Sequence, residues 1–262
     1  MRNAVHAIHL NSLCCALALL VGCNSKPAPS PTTSAAAEPT LTYFKADPAT
    51  SGSVTGTVLY KGKKPTPKLV NMSEDPACVQ AHSGKAYDES LVVGSKGTLG
   101  NAFIYIKSGL EGKTFEAPST PVTIDQGGCW FRPRVLGIQT NQTLQVTNSD
   151  PVTHNIHPMA QINREWNHSM GPGDPPLNRK FQKPEIMVKV KCNIHSWMHA
   201  FIGVVDNPYF AVSKEDGRFE IPNLPPGTYT LAIWQENLGT QEQQITITPH
   251  TRTATGFTFK GN

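Results

Sequence analysis

The sequence predicts an all-β protein. Of its 262 residues, 21 are Gly and 22 are Pro, and short runs of Val, Ile, Thr, Tyr and Phe recur between clusters of Gly, Pro, Asn and Asp. Such runs between turn residues are typical of β-strands. After the first two dozen residues no segment keeps apolar residues at a 3.6-residue period, so we expect few and short helices. The length allows one large or two small domains.

The charge of the chain is mild. The formal net charge is +4, and Lys and Arg alternate with acids instead of forming a block or a stripe. Nucleic-acid binding proteins usually carry a basic patch or stripe, so we expect no nucleic-acid partner.

The N-terminus has the pattern of an export signal. Arg2 precedes an apolar run over residues 13–21, which is too short to span a bilayer. The run ends in LVGC, and small residues before a cysteine resemble the signal of bacterial lipoproteins. The resemblance implies that residues 1–22 are removed and that Cys23 is lipidated, which anchors the protein to a membrane.

Residues 23–50 form a segment rich in Pro, Ser, Ala and Thr, which predicts a disordered tether. The expected location is periplasmic or otherwise extracytoplasmic. Asn24 stands where some lipoproteins carry an aspartate that retains them in the inner membrane. Its presence favours the outer membrane, if the organism has two membranes.

Three cysteines remain for the folded body once the signal is removed and Cys23 is lipidated: Cys78, Cys129 and Cys192. Cys78 and Cys129 are a candidate disulfide in an oxidising compartment, and such a bridge would stabilise the fold by roughly 4 kcal/mol. The alternatives are two buried free thiols, or a Cys129 that lies near a metal. In each case Cys192 is left over.

Cys192 lies in the segment VKVKCNIHSWMHAF, residues 188–201, together with three further donor side chains: His195, Met198 and His199. Ile186, Val188, Val190 and Cys192 alternate with polar positions, so Cys192 is expected to face a core at the end of a strand. A turn comes next, and AFIGVV predicts a returning strand. The pattern places a thiol, an imidazole and a thioether on one tight loop.

A further ligand is expected from NSDPVTHNIHPM, residues 148–159, which contains His154 and His157. A thiolate, a thioether and two imidazoles are the donors of a mononuclear blue-copper site. Zinc prefers several thiolates, or carboxylate and water in an open site. One Cys with one Met therefore favours copper.

These two segments resemble the cupredoxins, because CNIHSWM has the Cys-x2-His-x2-Met loop of amicyanin and pseudoazurin and HNIH is similar to the amicyanin segment His-Asn-Val-His. The resemblance covers roughly residues 75–206 and implies a Greek-key β-sandwich with one copper. The implied ligands are His154, Cys192, His195 and Met198. Asn155 would join the two ligand loops by hydrogen bonds, and His157 would not be a ligand.

The chain departs from this family in two places. Ile194 and Ser196 replace the prolines beside the loop histidine, and a polar insertion, NREWNHSMGPGDPPLNRK, separates the ligand loops. Within the insertion, His168 and Met170 are expected in a polar loop, with a weak second copper patch as the alternative. His199 is expected to be exposed or structural, or to be the axial ligand if Met198 points away.

The C-terminal part has its own pattern. In residues 209–236, YFAVSKEDGRFEIPNLPPGTYTLAIWQE, apolar residues alternate with polar ones between DG and PG turns. DGRF and LPPGTYTL resemble signatures of the carboxypeptidase regulatory-like, or transthyretin-like, β-sandwich. The chain contains no His-x-x-Glu or His-Glu-x-x-His, so we expect no peptidase activity.

The C-terminal segment alone is marginal for an independent core. SVTGTVLYKGKKP, residues 53–65, resembles the first strand of the regulatory-like family. We therefore expect the copper domain to be inserted into that sandwich. The predicted ranges are 51–74 for the first-strand region, 75–206 for the copper domain and 207–262 for the regulatory-like sandwich.

These features predict a membrane-anchored blue-copper protein that transfers single electrons to an unidentified redox protein. The resemblance implies that His195 and Trp197 lie near the surface and form the electron exit. The alternatives are an envelope copper carrier and a structural surface lipoprotein with a vestigial site. An enzyme is not expected, because Lys191 and Asn193 flank Cys192 where multicopper oxidases carry histidines.

Overall fold

A computed structural model describes residues 41–82 and 84–261. The predicted signal peptide 1–22, the lipidation site Cys23 and the tether up to residue 40 lie outside the described residues. Within the described ranges, no helix is long and apolar enough to cross a bilayer.

The described chain consists of β-strands and one short helix, which confirms the all-β fold class. The elements in chain order are β1 Gly52–Lys61, α1 Pro76–Ala81, β2 Phe103–Ser108, β3 Val122–Gln126, β4 Phe131–Arg132, β5 Val135–Gln139, β6 Thr143–Asn148, β7 His154–Pro158, β8 His168–Met170, β9 Leu177–Lys180, β10 Glu185–Lys191, β11 His199–Val205, β12 Phe210–Val212, β13 Arg218–Leu224, β14 Gly227–Gln235, β15 Gly239–Ile247 and β16 Arg252–Lys260.

Two sheets enclose the core below the predicted copper site, and the first of them carries the segments with the predicted ligands. One has the strand order β5-β11-β10-β7-β8 and the other β4-β3-β6-β9. Apolar side chains of both sheets, among them Ile124, Val146, Val190 and Ile202, belong to one buried cluster. This cluster is the core on which the ligand loops rest.

Strand β10 shows the predicted alternation only in its second half. Val188, Val190 and Cys192 are buried as expected, but Ile186 is 39% exposed. The register against β11 shifts between Glu185 and Val188, and Met187 has a φ of 61°. A bulge of this kind turns the preceding residues to the opposite face. The prediction for Ile186 was therefore wrong.

Glu185 is the buried residue at the start of β10. Its carboxylate accepts hydrogen bonds from the backbone N–H groups of Gln161 at 2.6 Å and Asn163 at 2.9 Å. Burial acts to raise the pKa of Glu185, but these donors outweigh it and hold the pKa below the ordinary value of 4.5. The carboxylate thereby fixes the loop between β7 and β8 to β10.

The other two sheets have the orders β13-β1-β16 and β12-β2-β14-β15 and share a second cluster. Strand β1 pairs antiparallel with β13 and parallel with β16. Strand β2 pairs with β12 and β14. Strand β2 lies within the range 75–206 that was predicted for the copper domain, but it pairs with the C-terminal strands. Its side chains Ile104 and Ile106 belong to the core of those strands.

The chain from residue 41 to 50 contacts the folded body, although the predicted tether runs to residue 50. The N–H of Phe44 donates to the carbonyl of Thr114 at 2.7 Å. The ring of Phe44 packs against Phe115 with the ring centres 5.6 Å apart. These contacts of Phe44 dock the stretch on the body, and composition alone did not indicate them.

A buried ion pair links the two pairs of sheets. Arg134, just before β5, donates through Nε and Nη2 to the carboxylate of Glu236 at distances of 2.7–3.0 Å. The Arg134 side chain is 3% exposed and that of Glu236 15%. The Arg134 Nη2 also lies 2.7 Å from His199 Nε2. His199 therefore contacts this ion pair, which supports the structural role expected for it.

Candidate metal centre

Three of the predicted ligands converge at one end of the first core. His154 begins β7, Cys192 comes directly after β10, and His195 lies in the turn between β10 and β11. One donor atom from each of the three lies within 4.8 Å of the others. The Nδ1 atoms of His154 and His195 are 2.9 Å apart, and Cys192 Sγ is 4.0 Å from His195 Nδ1. All three residues are buried, with exposures of 0–4%.

The loop between β10 and β11 is closed by its own backbone. Cys192 N–H donates to the carbonyl of Met198, and Met198 N–H donates to the carbonyl of His195, both at 3.0 Å. The N–H groups of Ile194 and His195 lie 3.4 Å from Cys192 Sγ. These N–H groups orient the sulfur, whose deprotonated form is the one that binds metal.

Met198 is fully buried and belongs to the same hydrophobic cluster as Cys192. The loop hydrogen bonds place its backbone beside those of Cys192 and His195. Its role as the axial ligand stays a prediction.

Asn155 joins the two ligand loops. Its Oδ1 accepts from the N–H of Asn193 at 2.7 Å and from the Cys192 thiol at 3.4 Å. Its Nδ2 donates to Oδ1 of Asn167 at 2.7 Å. The side chain next to His154 therefore fixes the position of the loop that carries Cys192.

Two carboxylates that the sequence analysis missed hold the histidine rings. Asp150 Oδ2 lies 2.8 Å from His154 Nε2, and Asp75 Oδ2 lies 2.9 Å from His195 Nε2. Carboxylates on the distal nitrogen of a histidine fix its tautomer and leave the other nitrogen free for a metal. Here both Nδ1 atoms are left facing each other. Asp150 lies only four residues before His154 in the sequence, and this spacing could have indicated their contact. Nothing in the sequence indicated that Asp75 contacts His195.

Asp150 is itself a buried anchor. Its Oδ1 accepts from Gly128 N–H and its Oδ2 from Cys129 N–H, both at 2.7 Å. Burial lowers the pKa of His154, although the hydrogen bond that the Asp150 carboxylate accepts from this ring acts in the opposite direction. The neutral imidazole, which is the ligand form, is thereby favoured.

Cys78 and Cys129 form a disulfide beside the site. Cys78 lies in α1, whose N-cap residue is Asp75. The Sγ of Cys78 is 3.6 Å from His195 Nε2, and the bridge therefore holds α1 over the outer edge of that ring.

His195 differs from its predicted position near the surface. The residue is only 4% exposed, because Asp75 and Cys78 cover its Nε2 edge. The ring of Trp197 lies 5.2 Å from that of His195, centre to centre, and its indole N–H donates to the carbonyl of Cys129 at 3.1 Å. The expected exit through His195 and Trp197 is thus closed by α1 and the disulfide.

The remaining histidines lie outside this group. His157 Nε2 is 2.5 Å from a carboxylate oxygen of Glu165. His168 is exposed on β8, whereas Met170 on the same strand is only 1% exposed. The prediction of a polar loop was therefore wrong for Met170, because β8 pairs with β7 and turns this residue into the core.

The donor set fits copper better than zinc. Two imidazole nitrogens and one sulfur face one another in a buried position, and a methionine lies three residues beyond the histidine of the loop. Both carboxylates face the Nε2 atoms of the rings and not the Nδ1 atoms. A zinc site would require further thiolates, or carboxylate and water, on the Nδ1 side.

Comparison with known proteins finds partial likenesses. The sequence pattern of polysaccharide lyase family 4, domain II, matches residues 195–255. This family is not the carboxypeptidase regulatory-like family that DGRF and LPPGTYTL predict. No curated protein matches the chain.

The neighbours among solved structures are cupredoxins. A Cu-containing nitrite reductase from Thermus scotoductus SA-01 is 25% identical, with a TM-score of 0.31, over 38% of this chain and 25% of its own length. A purple cupredoxin from Nitrosopumilus maritimus is 23% identical, with a TM-score of 0.28, over 32% of this chain and 98% of its own. An oxidised proline-to-glycine mutant of amicyanin is 17% identical, with a TM-score of 0.29, over 38% of this chain and 97% of its own. The chain thus spans a quarter of the length of the nitrite reductase.

Proposed function

We propose that the protein is a mononuclear copper protein that transfers single electrons. His154, Cys192 and His195 are the strong ligands, and Met198 is the weak axial one. Copper held by these side chains would supply a Cu(II)/Cu(I) couple. The observation that carries the proposal is the pair of Nδ1 atoms 2.9 Å apart beside a buried thiol.

The protein supplies rigidity around this donor set. Asp150 and Asp75 hold the rings, Asn155 ties the two loops together, and the disulfide fixes α1. Side chains that are already in position need to move little when the charge of a bound metal changes, which favours fast electron transfer. A copper carrier has to release its metal readily, and the covered His195 edge does not favour that role.

We also propose the context in which the site works. The protein is lipidated on Cys23, is held at the membrane on the extracytoplasmic side and is not an enzyme. Within residues 41–82 and 84–261, every group of three candidate metal donors includes His154 or His195. These groups therefore all adjoin the one proposed centre.

The copper-binding part is proposed to be an insertion in a second sandwich. The pairing of β1 with β13 and β16 supports this arrangement, because strands from both ends of the described chain lie side by side.

Optical titration of the full chain with Cu(II) tests the proposed site. We expect an intense blue or green band that is absent in Cys192→Ala and in His154→Ala. His157→Ala is the matched control, because His157 lies in the same strand, contacts Glu165 and should leave the band unchanged. A colourless wild-type protein, or a band that persists in Cys192→Ala, would contradict the proposal. Reversible voltammetry then separates electron transfer from metal transport.

A further inference from the structure

A series of contacts leads from the Cys192 thiol to the surface. Cys192 Sγ contacts Asn155 Oδ1 at 3.4 Å, and Asn155 Nδ2 donates to Asn167 at 2.7 Å. Trp166, the neighbour of Asn167, is half-buried and packs against the core that holds Cys192. A chain of contacts therefore leads from the sulfur through Asn155 to residues of the insertion.

Trp166 and Asn167 form part of the wall of a cleft of about 820 Å³. Four basic side chains line the cleft, and all four residues are exposed: Arg164, Arg179, Lys180 and Lys183. The guanidinium of Arg179 lies 5.6 Å from the centre of the Trp166 ring. Glu165 is the one acid in the lining, and it contacts His157.

We propose that this cleft docks an acidic redox protein and is the place where electrons enter and leave. The proposal rests on the proposed function and names the partner class for the same site. Four bases against one acid attract carboxylates and steer their approach. Exposed Ile162, which is 58% accessible, adds apolar contact at the same cleft.

The shape of the basic group favours a protein over a membrane. The charges line a concavity beside a tryptophan, which an acidic protrusion can enter. An anionic bilayer is broad and flat, and it would contact protruding side chains more than the inside of a cleft. Asp75 and Cys78 cover the Nε2 edge of His195, whereas Asn155 contacts the thiol directly and leads to this cleft.

Stopped-flow oxidation of the reduced copper-loaded full chain tests the cleft. One electron passes from the reduced site to ferricyanide, an anion, or to tris(phenanthroline)cobalt(III), a cation, and reduces the Fe(III) or the Co(III). The variant Arg164→Gln/Arg179→Gln/Lys183→Gln should slow oxidation by ferricyanide about tenfold at low ionic strength. Oxidation by the cobalt complex should not slow.

A control variant with the same change in net charge is Lys214→Gln/Arg218→Gln/Arg252→Gln, whose three residues are exposed near or on the second sandwich. It should change the ferricyanide rate less than twofold. In about 1 M salt, where screening acts within roughly 3 Å, both triple variants should match the wild type. If both triple variants slow the ferricyanide reaction equally while the protein still transfers electrons, the cleft proposal is overturned but the proposed function is not. A wild type that neither oxidant reacts with would overturn the proposed function as well.

Two further measurements fix the route and the partner class. Trp166→Leu should slow oxidation while the visible band is kept, and Trp234→Leu, which changes a half-buried tryptophan of β14, should not. Equal effects of the two variants would overturn the route. Poly-glutamate should compete with ferricyanide in the wild type but not in the cleft variant. Cleft-dependent binding to phosphatidylglycerol vesicles without competition by poly-glutamate would overturn the proposal in favour of a membrane surface.

Discussion

Asp150→Ala should weaken both the fold and the metal site, because one carboxylate serves three donors. It accepts from Gly128 N–H and Cys129 N–H at 2.7 Å and contacts His154 Nε2 at 2.8 Å. Cys129 and His154 are fully buried, so water cannot replace the lost acceptor there.

The expected loss of stability comes from the two donors that stay buried. A buried donor without a partner costs about 1–3 kcal/mol, so the free energy of unfolding of metal-free Asp150→Ala should fall by about 3 kcal/mol. Asp150→Asn keeps one acceptor oxygen, so its loss should be about half as large. Loss of the group that orients a ligand lowers metal affinity by about 10–100-fold, which we expect for copper in Asp150→Ala.

Urea unfolding followed by tryptophan fluorescence measures the first effect, and competition with a Cu(I) chelator measures the second. Asp174→Ala is the control, because Asp174 also accepts a backbone N–H, from Gly171 at 2.7 Å, but in an exposed loop. If Asp150→Ala unfolds within about 0.5 kcal/mol of Asp174→Ala, a margin of the size of surface effects, the carboxylate does not hold the site together.

Three further predictions concern the body around the site. Glu236→Ala leaves the buried guanidinium of Arg134 without its partner, so urea unfolding should show a loss of about 3–5 kcal/mol. Burial raises the pKa of Glu185 and the N–H donors lower it, and the net result is a pKa below 4.5 in the folded protein. The ionised carboxylate therefore stabilises the fold fully above about pH 4.5, and this stabilisation is lost as the pH falls through the pKa of the folded state. Glu185→Gln should therefore flatten the acid limb of stability measured by urea unfolding between about pH 6 and 3. The double variant Cys78→Ser/Cys129→Ser should unfold at lower urea, with a loss of roughly 4 kcal/mol, and should exchange copper with a chelator faster.

The predictions for Glu236 and Glu185 each have a control within the chain. Glu242→Ala removes an exposed partner of Lys107 and should cost less than about 1 kcal/mol. Glu220→Gln changes an exposed acid and should leave the loss of stability between about pH 6 and 3 as it is in the wild type. A copper exchange rate that is unchanged in the double serine variant would show that α1 does not cover the site.

The ligand loop could be predicted from the sequence because its information is local. Cys192, His195 and Met198 lie within seven residues, and the alternation in β10 fixes which side chain faces the core. The alternation failed at Ile186, where a bulge changes the register. A bulge depends on the neighbouring strand as well as on the strand itself, and periodicity does not report that neighbour.

The residues that hold the ligands could not be predicted in the same way. Asp75 and His195 are 120 positions apart, and the contact forms in the folded chain, where the disulfide joins α1 to Cys129 beside the site. Nothing in the sequence around Asp75 differs from an ordinary helix cap. The covered edge of His195, which the sequence did not indicate, results from the distant contacts with Asp75 and Cys78.

The parallel pairing of β1 with β16 has a consequence for how the chain folds. Val54 faces Thr253 in that pair, so the central strand of one sheet waits for a partner from the other end of the described chain. Contacts this distant in sequence form slowly, because loop-closure entropy must be overcome first. Until β16 arrives, β1 has an open edge that can pair with another chain. A chain that stops before Arg252 should therefore aggregate, even though every residue of the ligand loops has already been made.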